Sequence, residues 1–342
     1  MLTTNAISNP VQVVYSTISG DEIRKVLEST FALGTIDDCT LLQSGFNDIY
    51  EVALADGRRC VARLSSRIER GEPNVNYETA LLRHLKRAGT AVAAPWVAKD
   101  GGFSTEIAAP EGRRSLVVFD FLSGKPPGIQ LTDIAVMGSE LARIHVASSS
   151  YDGPGSNYQL DFDHLLRRPL ARLLALRELD ESVRDMLRLI ATDLEARITT
   201  LTDLTLVACH GDCHGGNTFM SDGPDGGRVA SFFDFDDGGP GYLAYDLSVY
   251  LWSNLLGRQL AKPDEKVETS WAHFVNGYRS IHAIPSVDFE AISTFVAIRH
   301  FWLMGEYASR LHRMGSRVFR GPWFRKNFEL VKEWHTLSTP GG

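Results

Sequence analysis

Asp212 and Asn217 stand five residues apart in the string HGDCHGGN (210–217), and Asp234 follows 17 residues later where an apolar run ends in SFFDFDD. At that spacing one carboxylate can face a hydroxyl while an amide oxygen and a second carboxylate hold magnesium against a polyphosphate. The chemistry this points to is phosphoryl transfer from ATP. Asp212 is the candidate base, accepting the acceptor's hydroxyl proton, which in a loose transition state moves late. Asn217 and Asp234 are the candidate metal ligands, since magnesium takes hard oxygen donors and leaves positions for water and phosphate. Gly211, Gly215 and Gly216 in the same string point to close backbone approach or positive φ rather than to a helix.

The neighbouring side chains admit other uses. Asp236 and Asp237 can add a ligand or brace the turn. His210-x-Asp212-x-His214 with Asp234 and Asp236 could instead form the metal site of a phosphoester hydrolase. His210 is read here as a hydrogen-bonding support of the loop, and His214 as structural or acceptor-facing. Cys209 and Cys213 are read as small buried residues, because C-x-x-x-C alone is a weak zinc signal. Asp246, in AYDLS after Gly-Gly-Pro-Gly, can cap a helix or tie down the loop through His210.

Other elements must carry these groups. Ser19–Leu33 has Ile23, Val26, Leu27 and Phe31 at helical intervals, with a cap near Ser19 or Gly20. Residues 1–18 read as an arm or a short strand. Two runs rich in Val, Ile, Leu and Tyr flank Ala55-Asp56-Gly57, a hairpin signal. Before them, Ser44-Gly45-Phe46-Asn47 is either a phosphate-covering loop, with Ser44, Gly45 and Asn47 as its contacts, or an ordinary turn. A helix is expected over 75–88, strands over 93–96 and 115–122, and helices over 132–146 and within 163–197. Three or four more helices follow residue 242, among them 271–281, 289–311 and 323–334. Ser-Gly-Lys-Pro-Pro-Gly after Leu122 marks the lobe boundary, giving 1–122 as a nucleotide-binding lobe and 123–342 as a catalytic and acceptor-binding lobe.

Composition excludes several classes. The 342 residues are 44% hydrophobic and 23% charged, with 42 acidic against 35 basic side chains and a net charge of -7. That disfavours a nucleic-acid partner. No apolar run of 18 residues and no signal-like start occur, so neither a membrane span nor secretion is expected. Four irregularly spaced cysteines are no disulfide framework, and the cytoplasm is the expected location. Oligomeric state is unreadable.

Taken together, HGDCHGGN, FFDFDD (232–237) and DLS (246–248) resemble the motifs of the aminoglycoside phosphotransferase and choline kinase superfamily. They are similar to its H-G-D-x-x-x-x-N loop, its I-D-[FW] metal segment and the aspartate turn that follows. The resemblance covers roughly residues 20–335. It implies an α+β, bilobal protein-kinase-like fold, with an antiparallel sheet and helices in the N-terminal lobe and a larger, mainly helical C-terminal lobe. It implies ATP and magnesium in the cleft and transfer to an alcohol hydroxyl. Asp212 then resembles the catalytic aspartate, Asn217 and Asp234 the metal ligands, and Glu78 the helix glutamate that pairs with a phosphate-binding base. That base is usually lysine, and Arg63 stands in its place. Arginine keeps the charge but changes the geometry, and a catalytically silent relative is an alternative. By the same resemblance Phe119 to Leu122 form the adenine hinge, Val61 and Ala62 lie over the ring, and Phe232 or Phe233 closes it below.

The acceptor is read as a small hydroxyl metabolite, an amino alcohol or similar. A protein serine or threonine acceptor, as in bacterial stress-response kinases, and an aminoglycoside-type antibiotic are alternatives. Basic and aromatic residues between Arg299 and Arg325 would disfavour a polycation if they line the acceptor side, and are otherwise a solvated face.

Overall fold

A computed structural model describes residues 11–66 and 74–341; the first ten positions of the expected arm lie outside the described residues. The chain divides into two compact units, Met1–Pro73 with Trp96–Val118 and Asn74–Pro95 with Phe119–Gly342.

In the smaller unit, helix α1 (Gly20–Thr30) starts at Ser19, whose hydroxyl accepts the Glu22 amide at 3.3 Å. That cap satisfies one of the free amides of the first turn. The hairpin strands β1 (Ile36–Ser44), β2 (Asp48–Leu54) and β3 (Arg59–Leu64) join β4 (Ser104–Ala109) and β5 (Gly112–Asp120) in a sheet of order β1-β2-β3-β5-β4. The β2–β3 turn falls at Ala55-Asp56-Gly57, as the sequence predicts, with Val52 opposite Cys60 and Tyr50 opposite Ala62. Burial alternates along β2, so Asp48, Tyr50, Val52 and Leu54 face inward. Tyr50, Val52 and Leu54 pack with Ile23, Leu27 and Phe31 in one core. Asp48 is the polar exception on that face. Its charge is met by the fully buried Arg114, 2.9 Å away, whose other donors reach the carbonyls of Ser16, Leu64 and Ser65. A buried guanidinium with every branch occupied avoids the cost of an unpaired charge and pins the ends of three segments together.

The larger unit contains α2 (Val75–Arg87), α3 (Leu131–Ser148), a π-helical turn (Asp163–Arg167) running into α4 (Arg168–Leu174), and α5 (Glu181–Thr199). Two antiparallel ribbons follow, β6 (Leu206–Cys209) with β9 (Gly239–Tyr242) and β7 (Thr218–Asp222) with β8 (Arg228–Phe232). The chain ends in α6 (Leu243–Arg258), α7 (Glu265–Arg279), α8 (Ser286–Ser309), the single turns α9 (Leu311–Met314) and α10 (Arg317–Arg320), and α11 (Pro322–Trp334). Helix α8 is buried on nearly all sides, as its apolar composition requires. Helices α3 and α7 approach backbone to backbone. A Cβ on Gly138 would lie 2.1 Å from the Phe274 carbonyl oxygen, and one on Gly277 would lie 1.9 Å from that of Ala135. Only glycine fits at either position.

The expected bilobal α+β architecture is present, with the antiparallel sheet on the N-terminal side and a larger helical C-terminal part. The strand expected over 93–96 is reduced to isolated bridges, Val92 to Phe232 and Pro95 to Phe119. Pro95 has no amide proton with which to continue a ladder. Among the described residues no helix is long and apolar enough to cross a membrane.

Candidate active site

Strand β6 delivers His210 into the loop, and the chain turns at Gly211 with φ +84°. A side chain there would meet the Asp237 carbonyl at 2.2 Å, so this turn requires glycine. Asp246, in the first turn of α6, receives the loop from behind. Its two oxygens accept the amide protons of His210 (2.9 Å) and Gly211 (2.8 Å). His145 of α3 donates from Nε2 to the same carboxylate at 2.9 Å and accepts the Tyr278 hydroxyl of α7 at Nδ1 (2.8 Å). Burial alone would raise the Asp246 pKa, yet His145, His210 and the Gly211 amide together hold it below the usual carboxylate value. Three helices thus converge on two backbone amides.

His210 joins this loop to the end of β8. Its Nδ1 accepts the Asp212 amide proton (3.2 Å) and its Nε2–H donates to the Phe233 carbonyl (3.0 Å), which fixes the tautomer. The ring packs against Phe235, with centroids 4.1 Å apart. Burial lowers its pKa in spite of Asp246 and Asp212, so it is neutral at pH 7. With both ring nitrogens engaged, His210 has none left for a metal. The hydrolase alternative loses a ligand it needs. Cys209 and Cys213 are buried free thiols, the latter 2.8 Å from the Asp246 carbonyl oxygen, and burial pushes both pKa values well up.

Asp212 projects from the loop with 18% of its side chain exposed. Oδ1 accepts Nη2 of Arg299 at 2.5 Å. Oδ2 lies 3.2 Å from Nδ2 of Asn217 and 3.5 Å from Nε2 of His214. Burial would raise the Asp212 pKa, but Arg299, His214 and His210 outweigh it and keep the carboxyl far below the ordinary range. Arg299, only 2% exposed, also donates to the Tyr245 hydroxyl (3.3 Å), which in turn donates to the Gly211 carbonyl (3.3 Å). Its guanidinium lies over Trp252 (4.7 Å) and Trp302 (4.1 Å). Sequence reasoning placed Arg299 only within a basic stretch and did not single out His145, Tyr245 or Tyr278. The signal for Arg299 was an arginine inside the otherwise apolar run FVAIRHFWLMG, which has no polar face to offer it. The basic stretch is in fact mixed: Arg299, His300 and Arg310 are buried, whereas Arg317, Arg320 and Arg325 are exposed.

Asn217 and Asp234 come together through the β7–β8 ribbon. Thr218 pairs with Phe232, and the Phe233 amide donates to the Asn217 carbonyl at 3.1 Å. Asp234 is the next residue and is held at φ +66°, a left-handed conformation uncommon outside glycine. Asn217 spends its amide nitrogen on Asp212, at 3.0 Å to the carbonyl and 3.2 Å to the carboxylate, so that Oδ1 is the atom it could offer to a cation. An amide oxygen beside a carboxylate fits magnesium, which needs few protein ligands when phosphates supply the rest. Among the described residues no group of three or more His, Cys, Asp or Glu side chains is arranged to hold a metal unaided.

The remaining sequence-singled residues lie in different units. In the smaller one, Ser44 ends β1 and Asp48 opens β2, so Gly45 to Asn47 form a short hairpin loop. The Gly45 amide donates to the Asn47 carbonyl (2.9 Å), and Asn47 Oδ1 accepts the Ser66 amide (3.2 Å). Arg63 on β3 is buried rather than solvated. In the larger unit Glu78 is buried in the first turn of α2, Phe119 is buried and bridges to Pro95, and Leu122 is half-buried.

Residues 38–284 match the phosphotransferase enzyme family. A Deinococcus radiodurans protein described as uncharacterized is 32% identical over 322 residues, covering 94% of this chain and 91% of its own length. The homoserine kinase of Neisseria meningitidis serogroup B is 25% identical, over 85% of this chain and 89% of its own. Among solved structures, amicoumacin kinase in complex with AMP-PNP, Ca2+ and Ami has a TM-score of 0.72 at 20% identity, covering 92% of this chain and 94% of that one. The chain belongs to the phosphotransferase enzyme family, in the aminoglycoside phosphotransferase and choline kinase-like superfamily with its protein-kinase-like fold.

Proposed function

We propose that this phosphotransferase moves the γ-phosphate of ATP, with magnesium, to the hydroxyl of a small metabolite, an amino alcohol or a hydroxyl compound of similar size. The observation that carries the proposal is Asp212 fixed at Oδ1 by Arg299, with Asn217 on its other oxygen and Asp234 one residue beyond Asn217's backbone partner. Oδ2 is then the atom that accepts the acceptor's hydroxyl proton. Because Arg299 keeps the carboxylate a weak base, that proton moves late, as a loose transition state allows. Asn217 Oδ1 and Asp234 are the proposed magnesium ligands; magnesium, when bound, withdraws charge from the phosphates as the P–O bond breaks. His210 and Asp246 keep the loop still, so that orientation need not be found anew at each turnover.

Residues 1–122 are the proposed nucleotide-binding lobe and 123–342 the catalytic and acceptor-binding lobe. In the former, Ser44, Gly45, Asn47 and Arg63 are the proposed phosphate contacts, with Glu78 as a supporting acid. Phe119 and Leu122 are the proposed adenine contacts. The names of the homoserine and amicoumacin kinases support a small-molecule acceptor over a protein. Four free cysteines suit a reducing, cytoplasmic setting.

The test is a screen of acceptors with γ-labelled ATP, with and without magnesium, beside Asp212→Asn. Transfer should need magnesium and fall about 1,000-fold in the variant, with the melting curve unchanged. Release of phosphate from esters without ATP, or full transfer by the variant, would sink the reading.

A further inference from the structure

The larger unit holds a cavity of about 290 Å³ against the catalytic loop. Pro126, Pro127 and Ile134 form its apolar side, and Tyr250, Ser253 and Asn254 of α6 the opposite side, with His214 between them. Among the described residues none that lines it is Asp, Glu, Lys or Arg. The His214 ring is the wall shared with the reacting centre: Nδ1 accepts the Gly216 amide proton at 2.9 Å, and Nε2 lies 3.5 Å from Oδ2 of Asp212.

We propose that this cavity takes the body of the phosphate acceptor, and that the acceptor is uncharged: a small polyol or other neutral hydroxyl compound, not an ammonium alcohol. The proposal rests on the phosphotransfer reading above and narrows it. Three observations carry it. A cationic acceptor needs a carboxylate or an open aromatic face, since an ammonium group leaving water without either is strongly disfavoured. The cavity has no carboxylate. The carboxylate next to it, Asp212, is already matched to Arg299, one face each of Trp252 and Trp302 is covered by that same guanidinium, and the Tyr250 ring that lines the cavity is buried and stacked on Phe274 (4.2 Å). What the cavity offers is neutral. Ser253 donates to the Tyr250 carbonyl, as does Nδ2 of Asn254, each at 2.9 Å, which leaves the Ser253 oxygen and Asn254 Oδ1 as acceptors for hydroxyl protons. Its volume is just below the about 300–1,000 Å³ usual for ligand sites, a size that suits the body of a small metabolite. In the reaction the acceptor oxygen bonds to the γ-phosphorus, the bond from that phosphorus to the β-bridging oxygen breaks with its electron pair on ADP, and the hydroxyl proton passes to Asp212 Oδ2.

The experiment uses the full chain and matched pairs: glycerol with serinol, 1,2-propanediol with 1-amino-2-propanol, and ethylene glycol with ethanolamine. Binding is read by ligand-observed NMR, and transfer with γ-labelled ATP. The neutral member of each pair should bind, and should show kcat/KM at least about tenfold above its amine, the ratio expected for about 1.4 kcal/mol of unmatched charge. Asn254→Asp, or Ser253→Asp if the first unfolds, adds the missing carboxylate and should invert that order. A wild-type preference for the amines, equal handling of both members, binding of neither, or an unchanged order in a folded variant each overturns the proposal. Binding of the neutral members with no phosphate transferred would instead overturn the kinase reading and leave the cavity assignment in place.

Discussion

Asp246 and His145 share a 2.9 Å hydrogen bond with both side chains closed off from solvent, and through it the 210–217 loop is fastened to α3 and α7. The Asp246 carboxylate accepts three donors at once: this imidazole and the amides of His210 and Gly211. In Asp246→Asn one oxygen becomes a donor facing donors. We expect a loss of about 3 kcal/mol in urea unfolding, with transfer falling in parallel. Tyr278→Phe, which removes only the outer link to His145, should cost about 1 kcal/mol.

Arg299 reaches Asp212 with one branch of its fork and Tyr245 with the other. Arg299→Met should lower kcat by about 100- to 1,000-fold, the usual scale for removing a fixed charge from a reacting centre. The KM for ATP should stay within about twofold, because Arg299 contacts Asp212 in the proposed mechanism and not the nucleotide. Arg299→Lys should recover only part of the loss, since an ammonium cannot span both partners and stacks less well between the tryptophans. Steady-state rates at saturating ATP distinguish these outcomes.

His300 gives a pH prediction. Trp252 Nε1 donates to its Nδ1 (3.1 Å), and its Nε2–H donates to the Asn327 carbonyl (3.2 Å). Burial pushes its pKa down to about 3, more than the Asn327 hydrogen bond restores, so the folded ring stays neutral. In the unfolded chain it protonates near the ordinary histidine value of about 6.5. Between those two values the unfolded chain binds a proton that the folded chain does not. Stability from this residue is therefore complete above about pH 6.5 and declines as pH falls towards about 3. His300→Gln, which can keep both hydrogen bonds, should flatten that part of a plot of melting temperature against pH.

Local signals were the ones legible in the sequence. Asp212, Asn217 and Asp234 lie within a loop and one ribbon, so their spacing along the chain is close to their spacing in space. The cap at Ser19 and the turn at Asp56-Gly57 also depend on neighbours in sequence, and both are where they were expected. Arg299 stands 87 residues after Asp212, and His145 stands 101 before Asp246. Hydrophobic periodicity can report that such positions are buried but not what they meet. The α8 pattern, apolar around the whole helix, gave no face from which to infer a partner.

The seam between α3 and α7 reaches further than packing. Gly277 is the residue before Tyr278, and Gly138 lies two turns before His145, so the backbone approach at the two glycines sets the separation of the two side chains that end at Asp246. A methyl group at either glycine would act as a wedge, and its effect would travel along a relay of hydrogen bonds to Gly211. Tolerance to substitution at this seam is thereby governed by turnover as well as by folding. Two positions without any side chain at all become remote determinants of catalytic competence.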